Sequence, residues 1–327
     1  MRIRFWQILL PMILGIITLY YFVYRDKGID LGHKDYLWIV YGSLIIILWW
    51  ISEALKLSML SHIIGIDMGF LNSLKVVFAG FFFGSVTAFS IGTFPGEYVS
   101  LIRIGIDADR ALGIVSIRGI LNGIVKGIIA VIIAIFLRGY RNPVFKDIFY
   151  TIFLIYGLGI FLTYFIIFGK NVYSVRIRNY ITRGLIFLEK RYRKISGYIS
   201  NFRLALISQS EKNYIGLSYK WLPILFIYLL SCIILFSFPI SIVKFIGSDI
   251  RLIDAITAQA IFYITQSYMP TPGGSGIVEL GYDYFLRITS STGSTEFIIF
   301  LRFFTFYLPL MVGGFITFSL LSRRRIV

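Results

Sequence analysis

Cysteine and histidine are nearly missing from this chain: one Cys and two His in 327 residues. The single Cys232 lies inside an apolar run, so it can build neither a disulfide nor a thiolate metal site. His33 and His62 are too isolated for a metal cluster or a serine–histidine relay. Acidic side chains are scarce as well, 16 against 32 Lys and Arg, for a formal net charge of +16. Such a charge raises nucleic-acid binding as a reading, but no nucleic-acid motif accompanies it. Long polar stretches are also lacking, which leaves no room for a soluble catalytic domain. The sequence therefore implies no cofactor, no metal, no nucleic-acid partner and no enzyme activity of the usual nucleophile or metal kinds.

What fills the chain instead is apolar. Hydrophobic residues make up 57%, aromatics 18% and charged residues 15%, with a mean hydropathy of +0.82. That balance fits a polytopic membrane protein. About 20 residues cross a bilayer core, and eight mostly apolar segments read as spans: 5–24, 36–56, 68–91, 111–137, 147–168, 221–239, 251–269 and 297–320. Tyr20, Tyr21, Trp49, Trp50 and Trp221 stand near span ends, where aromatic anchors sit. The first segment has a basic start and a long apolar run without a small-x-small site, so it reads as a signal-anchor helix. The chain is expected to be one integral membrane domain over 1–327. Its parts would be an N-terminal helical half (1–169), a basic cytoplasmic segment (170–220) and a C-terminal half (221–327).

Charge placement gives the topology. Between Lys170 and Lys220 there are 11 Lys and Arg against Glu189 and Glu211, a net +9. A basic amphipathic stretch of this kind lies on the inner leaflet against anionic lipids. Eight simple crossings from an inside N-terminus would put it outside. One further passage before residue 147, and another after 269, restore the sign rule and keep the final "SRRR" inside. Each half offers one candidate: "TFPGEYVSLIRIG" (93–105) and "TPGGSGIVELGYDYFL" (271–286). Both are too short and too broken for ordinary spans. The fold expected is all-α, with about eight spanning helices and two broken or re-entrant hairpins in corresponding halves, as in an inverted repeat.

A broken backbone inside lipid survives only where protein or water supplies its hydrogen bonds. Pro270 and Pro272 remove donors, and Gly273, Gly274 and Gly276 admit conformations closed to other residues. Pro95 and Gly96 suggest a similar break in the first half. Glu279 would stand one turn into the helix that follows the second break. It could bond the loop's amides, pair with an intramembrane arginine, or take a proton or a cationic headgroup. Intramembrane charges are costly and usually functional; Glu97, Arg118, Lys126, Glu279 and Arg302 recur along these spans. Arg118, Asn122 and Lys126, at i, i+4 and i+8, share one helix face. Together these six residues form the candidate substrate-binding set, with no catalytic residue and no metal ligand among them. Duller readings stand beside it: Glu97 and Glu279 as loop ties, Arg302 as a snorkelling helix-end residue, and Glu53 with Lys56 as an interfacial pair.

"PTPGGSGIVELG" (Pro270–Gly281) and "LRFFTFYLPLMVGG" (Leu301–Gly314), with "FPGEYVSLIRIG" and "SIRGILNGI" earlier, resemble the membrane region of lysylphosphatidylglycerol synthases and its stand-alone, flippase-like relatives. The likeness runs over nearly the whole chain. In many relatives the proline is separated from the Gly-Glu pair and an arginine follows three residues after the glutamate; here Pro95 abuts Gly96 and position 100 is Ser100. Asn122 stands near where relatives often carry an aspartate. The resemblance implies transbilayer movement of a phospholipid or lipid-linked molecule. It assigns lysyl transfer to a separate soluble domain.

The reading of the residues and of the resemblance is thus a lipid flippase or transporter in the cytoplasmic membrane, with both termini cytoplasmic. Movement would be passive or driven by an ion gradient. The rival readings are a scaffold for a separately encoded envelope enzyme and a membrane-embedded lipid-modifying enzyme; self-association is left open. Reporter fusions at residues 195 and 245 are expected on opposite sides of the membrane. Finding both on one side would sink this topology.

Overall fold

The computed structural model describes residues 34–136, 169–192, 196–208, 222–290 and 295–322, with scattered positions in 13–24 and 154–167. All regular structure among these residues is helical, as expected. The segment expected at 5–24 lies mostly outside the described residues, as does most of 147–168. In chain order the helices are α1 (Tyr36–Ile63), α2 (Phe70–Ser85), α3 (Thr93–Arg103), α4 (Ala108–Phe136), α5 (Val172–Arg191), α6 (Ser196–Ser208), α7 (Leu222–Ile246), α8 (Leu252–Thr265), α9 (Ile277–Ser290) and α10 (Thr295–Ser322).

Four of these are long and apolar enough to cross a membrane: α1, α4 (its Ala108–Ile129 portion), α7 and α10. At ~1.5 Å per residue, the 28 residues of α1 reach about 42 Å, more than a ~30 Å hydrocarbon core. Its start is fixed by Asp35, whose carboxylate accepts the Leu37 N–H at 3.1 Å. Because α1 runs to Ile63, Trp49 and Trp50 fall near its middle. There Trp49 stacks on Phe81 and Trp50 meets Phe78 edge-on, so both rings pack inside rather than anchor an end.

Two segments read as spans end early. The stretch 68–91 is helical as α2 only to Ser85, and 251–269 as α8 only to Thr265. Each is one arm of a hairpin. Gly80 faces Glu97 and Gly84 faces Thr93, so α2 and α3 run antiparallel. Likewise Gln259 bonds Tyr282 and Arg251 bonds the Thr289 carbonyl, so α8 and α9 run antiparallel. Arms of 16 and 11 residues, and of 14 and 14, are each too short to cross. Each pair of short arms folds back on itself as a helical hairpin.

The two breaks differ in chemistry. In the second, Gly273, Gly274 and Gly276 hold φ of 59°, 71° and 86°, as the glycine run implied. In the first, the break is not at Pro95–Gly96. Those residues lie inside α3, where a proline in the first turn costs no helical hydrogen bond. The chain bends upstream, at Phe89 (φ 55°) and Ser90 (φ 50°), with no glycine at those two positive-φ positions. Thr87 closes that turn: its hydroxyl donates to the Phe83 carbonyl and accepts the Gly92 N–H, both at 2.8 Å. The tips then meet, Phe89 N–H donating to the Met269 carbonyl at 2.9 Å.

The order long helix, short arm, break, short arm, long helix occurs twice. Residues 36–136 and 222–322 supply one copy each. The first helices of the copies, α1 and α7, pack against each other: Gly42 lies on Ser241, and Ser52 bonds Ser231 at 2.9 Å. As residue numbers rise along α1, their partners fall along α7. These two corresponding helices are thus antiparallel, the relation an inverted repeat requires. Small residues at both crossing points let the backbones approach.

Between the halves, α5 turns by 85° from the apolar helix Gly157–Ile167. Arg178 secures the corner by donating to the carbonyls of Ile166 (3.0 Å) and Gly169 (2.7 Å), groups that the helix end leaves unpaired. Elsewhere, α10 packs on α2 so closely that a Cβ on Gly313 would lie 2.4 Å from the Phe78 carbonyl oxygen. Backbone cannot step aside as a side chain can. Gly313→Ala is therefore expected to lower stability by about 1–3 kcal/mol, read as a fall in the unfolding midpoint in detergent. Gly314→Ala, whose Cβ meets only the Phe82 ring at 3.3 Å, is expected to lower it less; equal effects would contradict this packing.

Candidate functional site

Where the hairpin tips meet, they leave a cavity of about 200 Å³. Hairpin α2–α3 contributes Gly80, Ser90, Thr93 and Glu97 to its wall; hairpin α8–α9 contributes Gln259, Tyr263, Ser267 and Gly273. Helix α1 adds Trp49 and Glu53, and α10 adds Arg302 and Thr305. From α4 come Arg118, Asn122 and Lys126, so the polar stripe at i, i+4, i+8 does face the cavity. The two Glu-bearing hairpins and this stripe, far apart in sequence, are brought together.

Arg118 organises one side. It donates through Nη1 to Glu97 Oε1 at 2.5 Å and through Nη2 to Glu53 Oε2 at 3.1 Å. The other Glu53 oxygen accepts from Lys56 and from Ser231, the latter at 3.1 Å. Lys56 also lies over the Tyr228 ring, 4.6 Å from its centre. All four charged groups are buried, and two cations balance two carboxylates. The interfacial reading of Glu53 and Lys56 thus fails: they sit in the interior and tie α1 to α4. The difference comes from the length of the helix: α1 runs on to Ile63, past the expected span end at residue 56, which carries this i, i+3 Glu–Lys pair into the interior. Gly80 belongs to this side as well. A Cβ there would lie 2.5 Å from Glu97 Oε1 and 2.8 Å from its Cγ.

Arg302 and Glu279 form the other pair, at 2.8 Å. Glu279 has no exposure and does not line the cavity. Its second oxygen accepts the Gly276 N–H at 2.8 Å, the bond a helix's third residue makes back to the N-cap. Arg302 also reaches the Gly273 carbonyl at 3.3 Å and lies over the Phe306 ring at 4.2 Å. It is buried at the heart of the protein, not at an interface where it could snorkel. The anion-binding end of α9 is thus filled by a carboxylate of the same helix. Directly after Arg302 the helix widens into a π turn, Phe303–Tyr307, of the kind that recurs at functional sites.

Lys126 extends towards the second hairpin, 3.2 Å from Ser267 Oγ and over Tyr263 at 4.9 Å. Beside it, the Tyr282 hydroxyl donates to Gln259 at 2.6 Å. Arg103, in contrast, stacks on Tyr198 away from the cavity, and Asp283 pairs with Arg287 along α9. None of these contacts sets a nucleophile against a base. What the arrangement can do is hold a polar group among apolar helices.

Two helical halves around paired hairpins, with buried charges at their junction and several apolar helices long enough to span, define a multi-pass membrane protein. The chain belongs to the lysylphosphatidylglycerol synthase TM region family, whose model matches residues 29–313. It is similar to a UPF0104 membrane protein of Archaeoglobus fulgidus, 25% identical over 324 residues that span 94% of this chain and 95% of that protein. No solved structure matches it.

Removing one partner of a buried ion pair strands the other charge and costs about 3–5 kcal/mol, whereas replacing both with apolar groups is far milder. Glu279→Leu and Arg302→Leu are each expected to lower the unfolding midpoint strongly, and the double variant to recover much of the loss. Additive losses in a double-mutant cycle would show that the pair is not coupled as described.

Proposed function

We propose that this protein moves a phospholipid or lipid-linked headgroup across the cytoplasmic membrane, the headgroup passing through the cavity between the hairpin tips. The observation that carries this reading is the polar, charged cavity at the meeting point of two re-entrant hairpins inside an inverted repeat. Discontinuous helices of two inverted halves that meet at mid-depth are how transporters place a site both sides can reach in turn. Glu97, Arg118, Asn122, Lys126 and Arg302 line that site; Glu279 acts behind it, holding the second break in shape.

Topology supports the same reading. A re-entrant hairpin returns to the side it entered and adds no crossing. With 5–24 and 147–168 as spans, the basic 170–220 segment and both termini then fall on the cytoplasmic side, as positive charge favours. The hairpins enter from opposite faces, the first from the cytoplasm. Helix α5, set at 85° to the helix before it and mixing Arg and Lys with exposed Val172, Tyr173 and Phe187, suits a place along the anionic inner leaflet. The reporter at residue 195 reads this side directly. With a cavity of about 200 Å³, only the headgroup would enter, the acyl chains staying in lipid.

Proteoliposomes test the function. Wild-type protein is expected to move fluorescent phospholipid between leaflets, and Arg118→Ala and Asn122→Ala to slow it by about tenfold or more, as loss of a contact worth ~1.5 kcal/mol does. Asn122→Ala is expected to keep the wild-type unfolding midpoint, which separates transport from folding. Folded protein that moves no lipid across a broad panel overturns the proposal in favour of a scaffold.

A further inference from the structure

We infer that α5 and α6 form a lipid-responsive clamp on the first hairpin. The outward face of α5 binds an anionic bilayer surface, and α6 passes that attachment to the arm that carries Glu97. That this surface is the inner leaflet rests on the proposed topology; the attachment and its transmission do not.

Helix α5 has two working faces where packing needs only one. Ser174, Arg178, Ile181 and Leu185, at i, i+4, i+7 and i+11, turn to the protein: the first two are buried and the last two pack on the core. Tyr173, Ile177, Tyr180 and Phe187, at i, i+4, i+7 and i+14, form a second stripe that points away from it. Its three aromatic residues are 70%, 65% and 63% exposed. Along one edge of the stripe run Arg176, Arg183 and Lys190, at i, i+7 and i+14, all exposed. The one acid of the helix, Glu189, is turned to α6, where Arg203 meets it at 3.5 Å. An exposed apolar stripe edged by cations is what an interfacial helix presents to anionic lipid: the rings enter the headgroup boundary while the cations meet the lipid charge. The 85° corner, held by Arg178, lays α5 across the direction of the apolar helix before it, as such a contact requires.

Helix α6 carries the connection inward. Its Phe202 ring meets Tyr98 edge-on at 5.4 Å and Phe94 at 6.4 Å, both on α3. Its Tyr198 ring takes the Arg103 guanidinium at 5.6 Å, at the end of the same arm. Ala205 and Leu206 are buried in the core, and the Ser208 hydroxyl donates to Asp109 at 2.7 Å in the first turn of α4. Helix α6 is thus fastened to α3 and α4 together. Tyr98 follows Glu97 directly, so α3 turns one residue to α6 and its neighbour to the cavity, where Glu97 meets Arg118 of α4. Whatever fixes α6 therefore fixes the spacing of these two cavity walls. Attachment of α5 fixes α6 through the Glu189–Arg203 pair and a connection of only residues 192–195.

Amide hydrogen exchange on the full-length protein in nanodiscs tests the clamp apart from any movement of lipid. Discs of phosphatidylcholine would be compared with discs that also hold phosphatidylglycerol. Each basic residue near an anionic surface strengthens attachment by about fivefold. With phosphatidylglycerol, exchange is expected to slow by at least about fivefold in α5, α6 and α3, and to stay unchanged in α9 of the other hairpin. High salt should abolish the difference. The surface variant Arg176→Gln/Arg183→Gln/Lys190→Gln should lose the response in all three helices. Phe202→Ala should keep it in α5 and lose it in α3, which separates a clamp from simple attachment. An α5 that does not respond to phosphatidylglycerol overturns the inference and leaves that face to a protein partner. An α3 response that survives Phe202→Ala, or equal slowing of α9, overturns it too, since either would come from the bilayer as a whole. Both disc leaflets carry the same lipid, so a response with the residue-195 reporter outside the cell upholds the clamp and removes its inner-leaflet placement. A response in protein that moves no lipid upholds the clamp while the transport reading falls.

Discussion

A backbone that breaks inside a membrane must satisfy its own polar groups, and this constraint shapes the rest of the molecule. The two hairpin tips meet it differently. The first closes on the Thr87 hydroxyl and passes the Phe89 N–H to Met269 on the other tip. The second uses three left-handed glycines and a carboxylate from its own helix, which Arg302 holds from α10. The first tip thus leans on the second through the Phe89–Met269 bond, whereas the second closes within its own half. The cavity lies where the two tips meet.

The halves are related in form but unequal in electrostatics. Each places a glutamate on the returning arm of its hairpin and pairs it with an arginine on the next long helix: Glu97 with Arg118, Glu279 with Arg302. In the second half the glutamate is sealed behind the cavity and fixes the loop, and only its arginine reaches the wall. In the first, Arg118 is shared between two carboxylates and both members line the cavity. A duplicated architecture has thus kept one ion pair as a rivet and turned the other towards the space between the halves.

How far the sequence disclosed this depends on the residue. Composition showed the helical membrane class, and the glycine–proline run at 270–276 announced the second break, since no other residues adopt those backbone angles cheaply. The stripe Arg118, Asn122, Lys126 could be read from helical spacing alone. The first break could not, because Phe89 and Ser90 carry no local signature of positive φ; tertiary contact with Met269 holds them there. Pro95 and Gly96 misled for the same reason: the proline tolerates a helix's first turn, and the glycine serves close approach to the Phe83 ring instead of a turn. Glu53 reads in the sequence as half of an interfacial pair with Lys56, because its other partners, Arg118 and Ser231, come from distant helices. Pairing across 65 and 178 positions leaves no trace in a linear scan.

Gly80 carries no side-chain chemistry, yet it is electrostatically part of the cavity. The Glu97 carboxylate occupies the place where any side chain at position 80 would begin. The smallest coding change at that position therefore acts on a charge: a methyl group there would displace the Glu97 carboxylate from where it meets Arg118. In a genetic screen such a position would group with the ion pair rather than with the packing glycines, although nothing in its own side chain would say why.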